Sequence, residues 1–541
     1  MADEKKSSSF YNSRLQHFLY MGDEGNRYVP EFISKRIPFC LERVNSISTL
    51  LSEKKGVDVV NEVIKVCEEK NTICMDAVIF TLALCATCKD EATKHAAYKA
   101  VLIVCSEAEH LFTFVNFIQQ IVAPQTGWGR GLRRAVSDWY NKKEVEKVAV
   151  LVTKCTSHRN WRHKDLICLS HIKPANKAVF ALTKYLMNGI EKFDEECDKN
   201  KDSTESVSSF IHVVHELKHT TDEHVAARLI DSTENITFSH IPMRLLKSKE
   251  VWSSLLRKLP ISVLLKQINR FRHLGYLKHN NSIMNLFLEQ LREDSAILND
   301  PGLDPINVFV ALKKYEMLGK SSNIPSNSTV AMAYNKGLIR HKPNPKLLEA
   351  LYNLFYSSFK ALKATEKQYV IAVDVRNPMT HNRVISNTSL TPAVASALLI
   401  MSLIRQDNGL VNALAFGSKG LRALDINNKM TVNDITRRMK ETAMGFVNLS
   451  EPLQWAQKKK KHIDMFIICT DTQTSPGDVH PADALKEYRK TMNLPNAKYV
   501  VCAMSTSNVS IAPPDEPGML DLIGFDSNTF RIINDFACDK Y

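Results

Sequence analysis

Several groups of residues in this chain have types and spacings that could do chemistry. His215-Glu216-Leu217-Lys218-His219 fits the pattern H-E-x-x-H. On a helix its two histidines share a face, and the glutamate between them could serve as general base toward a zinc-bound water. A zinc peptidase would need a third ligand. His224 follows too closely, with no glycine to turn the chain back, and Lys218 puts a positive charge beside the metal position. Cys85-Ala86-Thr87-Cys88 is a lone C-x-x-C in an apolar run, which reads as buried free thiols. Gly127-Trp128-Gly129-Arg130-Gly131 is glycine-rich but lacks the preceding strand and the dinucleotide spacing, so it reads as the entry to a helix. Lys458–Lys461 is a basic run that reads as a solvated turn, a peripheral phosphate contact or a localisation signal. Asp374 and Asp471 each close a β-branched or apolar run, YVIAVD and MFIICTD. Carboxylates at strand ends are where open α/β sheets build ligand sites.

The stretch Trp128–Lys177 is the most informative. It holds 12 Lys and Arg against four acids, interleaved with Trp128, Trp139, Tyr140, Trp161, His158, His163 and His171. Cations neutralise phosphates, and aromatic or imidazole rings stack on unpaired bases. Composition alone leaves two readings open, a single-stranded RNA surface and a solvated helical face over core tryptophans. The charge of the whole chain leans toward the first. Its net +13 divides into +10 before residue 367 and +3 from Lys367 onward, and a basic surface favours anionic partners.

Composition narrows the class. The 541 residues are 44% apolar and 24% charged, which excludes a disordered or collagen-like chain. The opening MADEKKSSSF has no apolar core of a secretory signal. Ala393–Ile404, the longest apolar run, is too short to span a bilayer. Twelve scattered cysteines, with none between Cys197 and Cys469, show no disulfide framework. The expected compartment is therefore reducing: the cytoplasm, with the nucleus as a further location.

Two kinds of element must position these groups. From about Leu15 to Ala364 the apolar period is helical, in runs of ten to fifteen residues such as Ala77–Cys88, Ala92–Cys105 and Leu111–Ile121. Serial helices with short connections suggest stacked helical pairs, an α-solenoid with degenerate repeats. Asp194–Ser206 and Gly319–Thr329 read as long polar loops. Near Lys367 the pattern changes. Tyr369–Asp374, Val411–Phe416, Met465–Asp471 and Tyr499–Met504 read as strands, alternating with helices at Ala393–Ile404 and Ala482–Met492. Thr391-Pro392 supplies a helix start. Such alternation means a doubly wound parallel sheet covered on both faces. The fold class is α plus α/β, with domains at 13–366 and 367–541.

Several of these segments resemble the Ro autoantigen (SS-A) family of RNA-binding proteins. They are Trp128–Asn141, His110–Phe114, His163–Leu166, Leu169–Pro174, Leu246–Trp252, Pro481–Lys490 and Gly518–Asp521. The resemblance runs in order along nearly the whole chain. It implies a TROVE module, a ring of HEAT-like helical pairs, followed by a von Willebrand factor A-like domain. It also implies a function without catalysis: binding of Y RNAs on an outer basic surface, and of the single-stranded ends of misfolded small non-coding RNAs in the ring. The protein would then be a monomer within a ribonucleoprotein, acting in RNA quality control. On this resemblance His171 falls in the Y RNA-contacting Leu-Ser-His segment, although a His before Lys173-Pro174 could equally cap a helix. Arg130, Arg133, Arg134, His163, Lys164 and Lys173 are basic positions inside the matched segments and complete the expected RNA-binding set.

One departure from the family is large. Its A-domain holds a divalent cation with D-x-S-x-S, a later threonine and an aspartate, hard oxygen ligands that suit Mg²⁺. Here the first segment reads Asp374-Val375-Arg376-Asn377-Pro378, and Val447 stands at the threonine position. Only Asp374 and Asp471 remain of the cation site. Arg376 is expected to set its own cation between them, so no metal or other cofactor is expected. The alternative to an RNA-binding function is a protein-interaction scaffold working through the A-domain.

Overall fold

The structure is a computed structural model. It describes residues 8–30, 33, 38–122, 127–278, 281–292, 300, 302–317, 343–472, 479–506 and 509–541. The expected loop Gly319–Thr329 lies outside the described residues. The chain forms two compact units, one of residues up to Glu24 with Phe39–Leu259, the other of Gly25–Pro38 with Pro260–Tyr541.

The first unit is helical. The helix Met75–Thr87 is apolar all round and buried from Ala77 to Ala86, as a central helix must be. Glu91–Val104 and Ala108–Ile121 pack against it. The short link between the first two is closed by Asp90, whose carboxylate accepts the backbone N–H of Thr93 at 2.8 Å. The helix Arg130–Lys142 is amphipathic and buries Leu132, Ala135, Val136, Trp139 and Tyr140. That i, i+3, i+4, i+7, i+8 stripe is the core face. One expectation is corrected here. Asp194–Ser206 is not a loop but the end of the helix Ile190–Lys199 and the start of Lys201–His219, divided at Asn200. Its abundant charges hid a thin apolar stripe of Phe193, Cys197, Val207 and Ile211, all buried.

Nine strands occur among the described residues: β1 Arg27–Tyr28, β2 Ser157–His158, β3 Trp161–Arg162, β4 Tyr369–Val373, β5 Val411–Gly417, β6 Gly420–Ala423, β7 Met465–Thr470, β8 Lys498–Ala503 and β9 Met519–Ile523. In the first unit β2 and β3 form a small antiparallel ribbon. The second unit holds the helices Pro305–Met317 and Pro345–Ser358, packed on each other, and a seven-stranded sheet of order β1-β9-β8-β7-β4-β5-β6. All pairs are parallel except β5 with β6. The four strands read from the sequence are β4, β5, β7 and β8, fully or largely buried because helices cover both faces. The helix Pro392–Gln406 starts as expected, with the Thr391 hydroxyl accepting from Val394 N–H at 3.4 Å. Strand β9 carries a buried Asp521 in its middle, whose carboxylate accepts the N–H groups of Ile511 and Ala512 at 2.8 and 3.0 Å. Burial still holds that carboxyl up, at about 6.

Chain order reverses at β4, which feeds β5 on one side while β7 returns to the other. That reversal places the carboxyl ends of β4 and β7 at the crevice of the sheet. No helix among the described residues is long and apolar enough to cross a membrane.

Candidate nucleic-acid interface and A-domain site

The basic stretch is built from the helix Arg130–Lys142, the β2–β3 ribbon, the helix His163–Ser170 and the loop leading to Lys177. Two sets of bonds lock these elements together. Asn141 Nδ2 donates to the Lys173 carbonyl at 3.0 Å while its Oδ1 accepts from Ala175 N–H at 2.9 Å. Deeper down, His163 bridges Tyr140 and the carbonyl of Cys155 at 2.7 and 2.9 Å.

His163 is therefore not on the expected RNA face. It is 2% exposed, and burial pushes its pKa down to about 4. The ring is neutral, with Nε2–H donating to the Cys155 carbonyl and Nδ1 accepting the Tyr140 hydroxyl proton. Trp139 and Tyr140 are core residues too, with Trp139 Nε1 donating to the Cys105 carbonyl at 2.6 Å. They are unavailable for stacking on bases. Trp128 and Trp161 are only half buried, with ring centroids 6.0 Å apart.

The cations divide by partner. Lys142 pairs with Asp138, Lys147 with Glu144, Lys154 with Glu107 and Arg159 with Asp76 at 2.5–2.9 Å. Arg134 lies 4.0 Å from Asp138 with its side chain 80% exposed, too loose to neutralise it. Arg130, Lys164 and Lys173 are exposed, and no ion pair forms at them among the described residues. Arg133 is half buried, and its Nε has no hydrogen-bond partner there. The sequence did not single out Arg162 and Lys177, which are exposed in the same elements. Arg130 opens its helix and Asn141, which anchors Lys173, lies eleven residues on, so these cations are spread over about 16 Å of helix axis.

His171 ends the helix His163–Ser170 in the left-handed region, at φ 50° and ψ 47°. Its backbone N–H caps the helix by bonding the Cys168 carbonyl at 3.3 Å. The exposed imidazole makes no hydrogen bond among the described residues. Backbone and side chain thus have separate roles, and the ring is free to meet a ligand.

At the sheet, Asp374 follows β4 and Asp471 follows β7, and the N–H of Asp374 donates to the Cys469 carbonyl at 2.9 Å. Both are buried. The Arg376 guanidinium donates to Asp374 through Nε at 3.0 Å and Nη2 at 2.6 Å, and Nη2 lies 3.7 Å from Asp471. Bonding to Asp374 raises the arginine's pKa further. Thr470 and Asn382 side chains bond Asp374 and Asp471 at 3.2 and 3.1 Å. Pro378 begins a short helix, and Val447 lies in the apolar core. Mg²⁺ needs six oxygens in octahedral array. The donor set here does not fit it, because a guanidinium lies between the carboxylates and Arg376, Pro378 and Val447 offer no hydroxyl.

His215 and His219 share a helix face with ring centroids 4.1 Å apart, but His219 Nδ1 is tied to the His215 carbonyl at 2.7 Å. No group of three or more candidate metal ligands occurs among the described residues. Cys85 is buried, and its thiol is pushed far up by burial.

Comparison with known proteins decides the family. The model of the TROVE domain matches residues 43–389, and that of the Ro60 vWA domain matches 368–537. The chain belongs to the Ro60 family of TROVE proteins. It is 26% identical to a Caenorhabditis elegans protein named RNA-binding protein RO60, over 98% of this chain and 88% of that one. A Deinococcus radiodurans protein of the same name is 24% identical over 97% of this chain and 92% of its own. The TROVE and vWA parts together also match the crystal structure of the Deinococcus radiodurans RO (RSR) protein, with TM-score 0.84 at 22% identity. That match covers 98% of this chain and 100% of the other. It establishes the Ro60-type fold, helical pairs followed by an A-domain.

Proposed function

We propose that this TROVE protein binds RNA without catalysing a reaction. It takes Y RNA on the surface of Arg130, Arg133, Arg134, Lys164, His171 and Lys173, and it holds single-stranded ends of misfolded small non-coding RNAs in its helical part. It works as a monomer within a ribonucleoprotein of the cytoplasm, also present in the nucleus. The observation that carries this reading is the set of cations without carboxylate partners on the elements joined by Asn141 and His163. Such cations are left to neutralise phosphates. The names of the two relatives point the same way. Changing Arg133, Arg134 and Lys164 together to Ala should weaken binding of a Y-type stem-loop RNA. It should also make the log–log salt slope shallower by about 2–3, at roughly one per phosphate contact. An unchanged slope places the RNA elsewhere.

The A-domain, on the same reading, works without a divalent cation because Arg376 supplies the positive charge. A protein-docking role for this domain is favoured by Met444 and Phe446, 50% and 73% exposed in the loop that bridges to Gly417 at the end of β5. Phe446→Ser should then abolish capture of a protein partner and leave RNA affinity untouched.

A further inference from the structure

The first unit contains a cavity of about 460 Å³ beside the start of the helix Arg130–Lys142, within the usual range for small-ligand sites. Its walls combine two aromatic rings, Trp128 and Tyr98, with three basic side chains, Lys94, His95 and Arg130. The indole Nε1–H of Trp128 is buried with no hydrogen-bond partner among the described residues. Gly131 sits against Tyr98 so closely that a Cβ there would lie 2.5 Å from the phenol ring. Glycine thus lets the helix start approach the aromatic wall. Gly129 precedes the helix with no side chain capping it, so the first backbone N–H groups add positive potential on the same side. The one acid of the lining, Glu91, is engaged by Lys94 at 2.7 Å.

We infer that this cavity receives one unpaired nucleotide of a bound RNA strand. The base stacks on the Trp128 ring, and its phosphate meets Arg130 and the helix start, beside the Lys94–Glu91 pair. The inference rests on the RNA-binding reading and deepens it, since Arg130 belongs to both the outer surface and the cavity. A ring for the base and cations for the phosphate is the combination by which single strands are held without reading a duplex. A duplex keeps its bases stacked and cannot enter, so the cavity selects strands with a flipped or terminal nucleotide.

The test uses the full chain and a single-stranded octaribonucleotide carrying one 2-aminopurine, whose emission falls when it stacks on an indole. Binding to the unmodified protein should quench the probe several-fold. Trp128→Ala should remove the quenching and weaken binding about 5- to 100-fold, the usual worth of one stacked base. Trp128→Phe should recover most of the affinity. Lys94→Glu, at a half-exposed position, should weaken binding about tenfold with the melting temperature unchanged, which guards against a Trp128 variant that fails to fold. Octamer binding that depends on Arg133, Arg134 and Lys164 but not on Trp128 or Lys94 overturns the cavity assignment and leaves the RNA surface standing. No octamer binding at all overturns both. If 2-aminopurine riboside monophosphate binds as tightly as the octamer, with the same Trp128 dependence, the occupant is a free nucleotide and the strand assignment is wrong.

Discussion

Arg376 should be the residue on which the A-domain's independence from divalent cations depends. Two carboxylates, 0% and 5% exposed, face one guanidinium whose side chain is 37% exposed. Removing one partner of a buried pair costs about 3–5 kcal/mol, because a charge is left without compensation. Water reaches the arginine side here, so the low end applies, and Arg376→Ser should destabilise the domain by about 3 kcal/mol. For a domain of this size that lowers the melting point by roughly 6–12 °C. Arg376→Lys keeps the charge but loses the fork that meets Asp374 through two nitrogens, so it should recover only part of the loss. The assay is thermal unfolding of the full chain in EDTA and in millimolar Mg²⁺. The unmodified protein should melt identically in both, since a ligand stabilises only the state that binds it. Arg376→Ser exposes two carboxylates to the solvent cation, and its melting point should rise with Mg²⁺. A clear rise with Mg²⁺ in the unmodified protein, or an Arg376→Ser variant as stable as the parent, refutes the reasoning.

Acid should unfold the helical unit through its buried imidazoles. His163 and His240 are each held near pKa 4 against an ordinary 6.5, both mainly by burial. Folded pKa values below unfolded ones mean that the unfolded chain takes up the protons first. Their contribution is therefore complete above about pH 6.5 and is lost as pH falls from there toward 4, by about 2 kcal/mol each at pH 5. Urea unfolding at pH 7 and pH 5 checks this, and an unchanged midpoint contradicts it. His171→Gly should relieve a left-handed backbone, leaving stability equal or up to about 1 kcal/mol higher, while lowering Y RNA affinity. A marked loss of stability would make the ring structural.

Much of this architecture was legible in residue patterns. Continuous apolar runs such as YVIAVD and MFIICTD could be strands only in a sheet covered on both faces, and they are the central β4 and β7. Strand β9 escaped notice because Asp521 interrupts it, and only the turn N–H groups of Ile511 and Ala512 make that acid tolerable there. β1 has two residues and carries no period at all. Within the basic stretch the aromatic residues misled for a physical reason. Trp139, Tyr140 and His163 have the chemistry to stack on bases, but Trp139 and Tyr140 extend the stripe begun by Leu132, Ala135 and Val136. His163 opens the next helix and turns inward to meet Tyr140. Helical spacing was the signal that could have placed the first two in the core. The left-handed backbone of His171 arises from tertiary packing and leaves no mark in sequence spacing, whereas the glycine-rich run at Trp128 marks a helix entry but not the cavity beside it. Arg376 was legible only through the family resemblance, which expects a metal-ligating serine where this chain has an arginine two positions after the first aspartate.

The central claim is that RNA lies on the surface built from residues 128–177. Photocrosslinking of the full chain to a Y-type RNA at physiological salt, followed by mapping of the crosslinked peptides, tests it most directly. The crosslinks should concentrate on the exposed residues of the helix Arg130–Lys142, the turn between β2 and β3, and the loop from His171 to Lys177, and they should miss His163 and Trp139. Crosslinks confined to the A-domain, or to helices without unpaired cations, would contradict the account.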